Sequence, residues 1–167
     1  QTYAELSTDA RAEYTLGYYH PHYRELLLFE DLDKEQTLRV LYHEGFHQFL
    51  HQFIAEPPYW FNEGVAEYFG ASRVEGGKVT ATGLIQEGRL SNLKMAMEES
   101  LNRKFAEIIN APPREFYGGG PMLVAVRYAQ AWAMIHFFFN YGDGRYFPLL
   151  RDYFKSLRDG GNQKAAF

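Results

Sequence analysis

Five consecutive residues, His43-Glu44-Gly45-Phe46-His47, have the types and spacing that metal-assisted hydrolysis needs. In an α-helix, positions four apart differ by about 40° around the axis and about 6 Å along it, so both imidazoles project from one face toward one point. Two nitrogen donors can meet there, with the Glu44 carboxylate beside them to take a proton. A catalytic zinc needs a third protein ligand and an open fourth position. The chain has no cysteine, so that ligand must be His, Asp or Glu. Beyond Pro57-Pro58, the run Trp60-Phe61-Asn62-Glu63-Gly64-Val65-Ala66-Glu67 supplies two carboxylates four positions apart. A helix that climbs seven residues past His47 rises about 10 Å, and a reversal at the proline pair brings Glu63 or Glu67 back level with the two histidines. One glutamate then ligates and the other orients a ligating imidazole. Spacing alone does not assign which.

The elements that must carry these residues are legible as periodicities. Leu38, Leu41, Tyr42, Phe46, Phe49, Leu50 and Phe53 recur at intervals of three and four, which predicts a helix from Lys34 to about Ile54, ended by Pro57-Pro58. A second helix is expected over 59–71. Residues 14–19 and 23–29 read as strands joined through His20-Pro21-His22, and 72–81 as two short extended pieces around Gly76-Gly77. Residues 84–110 read as helical with a break near Ser100. The segment 110–121, with Pro112, Pro113 and Gly118-Gly119-Gly120, reads as irregular, either a lid or a surface connection. Residues 122–140 form a strongly apolar helix, Gly142-Asp143-Gly144 a turn, and 145–158 a terminal amphipathic helix. The organisation expected is one domain over 1–167: a sheet region at 1–33, active-site helices at 34–71 and a helical part at 84–158. The fold class is α+β, a small N-terminal sheet packed on an active-site helix with a mostly helical C-terminal part.

The 167 residues, 46% of them hydrophobic, suffice for one buried core. The formal net charge of −4 and the lack of a long Lys/Arg run argue against nucleic acid or an anionic membrane as the partner. Hydrophobic runs such as 131–139 are short for a bilayer span, so no transmembrane segment is expected. The chain starts at Gln1 without an initiator Met or a leader-like segment, which admits a removed leader or an upstream domain and leaves the compartment open.

His43-Glu44-x-x-His47 followed by Trp60-x-Asn62-Glu63-Gly64-x-Ala66-Glu67 resembles the gluzincin metallopeptidases, the group of thermolysin and aminopeptidase N, and most closely their compact peptidase MA-like domains. The likeness is specific from His43 to Gly70 and continues loosely through Tyr128-Ala129-Gln130-Ala131-Trp132. It departs in the short insert of fifteen residues between His47 and Glu63 and in a helical lobe reduced to 84–157. The resemblance implies a zincin-like fold and one Zn²⁺ per chain, held by His43, His47 and Glu63. It also implies that Glu67 hydrogen-bonds the first histidine, with Asn62 beside the ligand Glu63. The expected activity is hydrolysis of a peptide or protein substrate, with Glu44 as general base and Tyr128 stabilising the oxyanion. Tyr117 and His136 are the competing donors. An extended substrate would pair with the strand at 24–29.

Each residue also has a structural reading. Gly45 inside a helix hints at close packing against that face. His51 reads as structural, one turn past the metal, and His20 and His22 as turn residues. A different class of function remains for the whole constellation: a zinc-binding pseudo-peptidase acting as a peptide- or protein-binding module.

Overall fold

A computed structural model describes residues 16–28 and 33–161. Strands β1 (Gly17–His20) and β2 (Glu25–Leu28) form an antiparallel hairpin with Gly17 opposite Leu28 and His20 opposite Glu25. The expected strand residues 14, 15 and 29 lie outside the described residues. Helix α1 spans Lys34–Leu50 and α2 spans Tyr59–Gly70. A second hairpin follows, β3 (Arg73–Glu75) and β4 (Lys78–Ala81), turning at Gly76-Gly77. Five helices complete the described chain: α3 (Glu87–Glu98), α4 (Phe105–Ile109), α5 (Pro113–Phe116), α6 (Pro121–Asn140) and α7 (Phe147–Arg158). The fold is α+β, and its small N-terminal sheet packs on α1.

Helix α1 begins where Asp33 accepts a hydrogen bond from the Gln36 N–H at 2.8 Å, satisfying one of the donors a helix start leaves open. It ends at Leu50, short of the expected Ile54 and well before Pro57-Pro58. The last turn tightens first: Gln52 N–H donates to the Phe49 carbonyl and Phe53 N–H to that of Leu50, both i to i−3. Ile54, 5% exposed, then folds inward as a core residue and draws the chain back. Only three helical residues follow His47, so the chain reverses about 5 Å beyond it rather than about 10 Å. His51 caps the end, its Nδ1 2.9 Å from the His47 carbonyl oxygen and its ring against Tyr19.

The core gathers Leu50, Ile54, Trp60, Phe61, Val65, Phe116 and Ile135 between α1, α2 and α6. A glycine decides how near α2 and α6 come. A Cβ on Gly64 would lie 2.6 Å from the Ala131 carbonyl oxygen and 2.7 Å from Ile135 Cγ1, so no larger residue fits without parting the helices. Gly70 lets α2 pass beside α1, where a Cβ would meet that of His43 at 3.4 Å. The close packing expected at Gly45 is absent, since a Cβ there meets nothing within 4 Å. The tight approaches belong to the partner helix.

Helix α6 falls where the strongly apolar helix at 122–140 is expected and begins one residue earlier, at Pro121. Its 20 residues are long and apolar enough, by length and composition, to cross a membrane. The run of purely apolar residues is shorter because Arg127 and Gln130 interrupt it, yet both are buried and paired inside the fold. Arg127 donates to the carbonyls of Phe116 and Gly118, and Gln130 bonds both the N–H and the carbonyl of Arg103. In this fold α6 packs on α2, α3 and α7.

Candidate metal centre

Helices α1 and α2 bring the two motifs together. His43 Nε2 and His47 Nε2 lie 3.1 Å apart, and Glu63 Oε2 lies 3.5 Å from each. These three atoms form a group that could hold a metal ion. Glu63 is 4% exposed, and its Oε2 is buried without a hydrogen-bond partner. A buried carboxylate oxygen rarely goes unsatisfied, and here it is aimed at two imidazole nitrogens. A cation between them would satisfy all three.

The remaining donor atoms of these residues are occupied by neighbours that fix them. His47 Nδ1 lies 2.9 Å from Asn62 Oδ1, and His43 Nδ1 lies 3.4 Å from Glu67 Oε1, so each ring turns its Nε2 inward. The Tyr117 hydroxyl donates to Glu63 Oε1 at 2.6 Å, which leaves Oε2 for the ion. Glu67 is gripped in turn. Arg89 donates from Nε to Oε2 at 2.9 Å and from Nη2 to Oε1 at 2.5 Å, while Gln86 Nε2 donates to the Glu67 carbonyl at 2.8 Å and to Oε2 at 3.2 Å. Arg39 Nη2 holds Gln86 Oε1 at 2.7 Å. Arg39, Gln86, Glu67 and His43 thus stand in series, with Arg89 joining at Glu67.

The electrostatics favour positive charge at the centre. Burial opposes the His43 imidazolium, yet the surrounding Glu63, Glu67 and Glu44 prevail and push it up to about 9. Burial also opposes the Glu63 carboxylate, but His47 and His43 hold it well below its ordinary range. Glu67 is lowered against burial by His43 and Arg89. Without metal, His43 therefore keeps a proton up to about pH 9, and an ion must displace it. Apparent metal affinity is expected to rise about tenfold per pH unit from neutrality to about pH 9 and to level off above it, read by chelator competition. A pKa raised above its unfolded value stabilises the metal-free fold fully below about pH 6.5 and ceases to do so through about 9. The metal-free chain should accordingly melt at lower temperature across that window. A flat affinity profile would contradict the proton displacement.

Glu44 sits on the same helix, turned toward the sheet. Its Oε2 accepts the Tyr19 N–H of β1 at 2.8 Å, its one hydrogen bond among the described residues. A cleft of about 1160 Å³ opens over this helix and is lined by His43, Glu44, Glu67, Tyr117 and Tyr128. Its sheet-side wall is Leu16 and Gly17, at the start of β1. Of the strand expected to face a substrate, the described residues 24–28 do not line it: Arg24 has φ 54 and belongs to the turn, and the cleft takes its sheet-side wall from the start of β1 instead of from β2.

The three candidate donors separate. Tyr128 lines the cleft, with the Arg89 guanidinium 5.2 Å from its ring centre, while Trp132 and Ile135 of the same stripe enter the core. Tyr117 bonds the third donor residue itself. Its loop is held because Arg127 grips the carbonyls on either side of it, so the segment is neither bare connection nor detached lid but a wall of the cleft. His136 packs on Tyr68 and Trp132 away from the cleft, and burial lowers its pKa. His20 and His22 cluster with Tyr23 at the hairpin tip, consistent with turn residues. Arg89 and Gln86 carry no motif in the sequence, since they reach Glu67 across a hairpin rather than at a helical interval, and Arg39 enters only by holding Gln86.

A family model described as Protein of unknown function (DUF1570) matches residues 37–156, from within α1 to within α7. No curated protein and no solved structure matches the chain.

Proposed function

This chain belongs to the DUF1570 family of proteins of unknown function, and from that premise we propose that it is a zinc-dependent metallopeptidase of the gluzincin type. The observation that carries the proposal is the convergence of His43, His47 and Glu63, with His43 and Glu44 lining one cleft. Tetrahedral zinc with bonds of about 2.0–2.1 Å needs donors about 3.3–3.4 Å from one another. The spacings of 3.1, 3.5 and 3.5 Å match that requirement. Two imidazoles and one carboxylate are also the donor set of a catalytic zinc with an open fourth position.

When bound, zinc would lower the pKa of a coordinated water toward about 7 and polarise the scissile carbonyl. The chain's own residues do the rest. Glu44, held through Oε2 by the β1 backbone, takes the water's proton and returns it to the leaving amine. Asn62 and Glu67 keep the two imidazoles in register, and Tyr117 keeps the Glu63 carboxylate turned inward. Tyr128, facing the same cleft, donates to the developing oxyanion.

The test is metal analysis of the purified chain followed by incubation with a peptide library. About one zinc per chain and cleavage that stops on chelation are expected. Zinc bound without cleavage of any peptide would favour the pseudo-peptidase alternative, and no zinc after metal-replete preparation would refute both.

The two tyrosines are expected to separate by readout. Tyr128→Phe should lower the maximal rate by about 10²–10³-fold at unchanged zinc content. Tyr117→Phe should weaken zinc by about 10- to 100-fold. The opposite pattern would exchange their roles.

A further inference from the structure

We propose that the cleft selects peptides presenting a carboxylate, which Arg39 and Arg114 bind in the cleft that His43 and Glu44 line. The inference rests on the peptidase reading and adds a substrate class to it. The chain as a whole carries a formal charge of −4, yet the charged residues lining this cleft include three arginines. Arg89 is spent on Glu67. Glu63 and Glu44 are engaged by Tyr117 and by the β1 backbone. Arg39 and Arg114 have no carboxylate partner among the described residues: Arg39 bonds only Gln86, and Arg114 makes no ion pair.

Their positions suit a bound peptide. Arg39 lies four residues before His43 on α1, about 6 Å along the helix. Arg114 lies on α5, three residues before Tyr117, whose hydroxyl touches Glu63. Both arginines line the cleft, Arg39 from α1 and Arg114 from α5. An extended peptide advances about 3.3 Å per residue, so a carboxylate two or three residues from the scissile bond falls within their reach. The planar guanidinium fork matches a carboxylate in two parallel hydrogen bonds. The cleft also presents the apolar side chains of Val40, Pro113, Pro121, Val124 and Ala125. The carboxylate can come from an acidic side chain or from the end of the peptide chain.

The experiment measures binding rather than turnover. Zinc-loaded Glu44→Gln chain is titrated into fluorescein-labelled peptides of one sequence that differ only in charge. One pair carries Glu or Gln two residues from the centre, with both ends blocked. The other pair carries Gln and ends in a free carboxylate or an amide. A carboxylate form is expected to bind about tenfold or more tightly than its amide partner, and the gap should shrink with salt. A gap in the first pair alone assigns a side-chain carboxylate, and in the second alone a chain end. Arg114→Gln alone must narrow the gap severalfold with zinc content maintained. The gap should close in Arg39→Gln/Arg114→Gln compared at full zinc loading, because Arg39 also supports Gln86 and through it Glu67. Equal binding within both pairs, or a gap that Arg114→Gln leaves unchanged, overturns the proposal. Cleavage by the unaltered chain keeps the two readings apart. Peptides cleaved without any gap overturn carboxylate selection and leave the peptidase, while a gap without cleavage of any peptide does the reverse.

Discussion

Glu44→Gln is expected to lower peptide hydrolysis by about 10²–10⁴-fold while the zinc content stays at that of the unaltered chain. The amide is nearly isosteric, and its carbonyl oxygen can still accept the Tyr19 N–H that Glu44 Oε2 accepts at 2.8 Å. The backbone anchor between α1 and β1 is thus preserved. What is lost is the ability to hold a proton between attack and departure of the amine. Metal should be indifferent, because the three converging donors belong to His43, His47 and Glu63. The pair of readouts separates roles that a single one would confuse. Lost activity with lost zinc would mean that Glu44 builds the centre, and retained activity within about tenfold would remove it as the base. A pure binding module would have no hydrolysis to lose.

The centre was legible because its residues obey local geometry. His43 and His47 are one helical turn apart, and the four-residue interval from Glu63 to Glu67 places both carboxylates on one face of α2. Those intervals hold wherever the helices are packed. The reversal between them was harder, since the prolines mark where α1 cannot continue, not where it stops. The inward pull of Ile54 ends it sooner, and that depends on a core assembled from distant residues. The same limit explains Gly45 and Gly64. Both are glycines within helices, and only packing shows that Gly64 meets α6 while Gly45 meets nothing. Arg89 and Tyr117 reach the centre through tertiary contacts, 22 residues from Glu67 and 54 from Glu63 respectively, and no periodicity encodes those distances. The resemblance in the motifs extends to His47 and Asn62, and it is the packed structure that gives Asn62 its contact with His47 Nδ1.

Glu63→Ala and Glu67→Ala should differ in kind. Glu63 supplies the buried carboxylate oxygen that makes no hydrogen bond and lies 3.5 Å from both imidazoles. Its removal leaves two nitrogens and no third protein donor, so zinc should be lost outright, with hydrolysis lost alongside it. It also strips Tyr117 of its acceptor. Of the three metal-binding residues Glu67 contacts His43, at its far nitrogen, so its loss should loosen the ring and weaken zinc by about 10- to 100-fold without abolishing binding. Glu67→Ala carries a second cost, because Arg89 would remain largely buried without the carboxylate that holds it, and the fold should lose stability as well. Glu67→Gln is the control: its carbonyl oxygen can still accept from Arg89, so it should spare much of the stability while still weakening zinc. Measured by chelator competition and thermal melting, the expected order of zinc affinity is unaltered chain, Glu67→Gln, Glu67→Ala, Glu63→Ala. If Glu67→Ala abolishes zinc and Glu63→Ala retains it, the ligand and its orienting neighbour are exchanged, and the unpartnered oxygen of Glu63 needs another occupant.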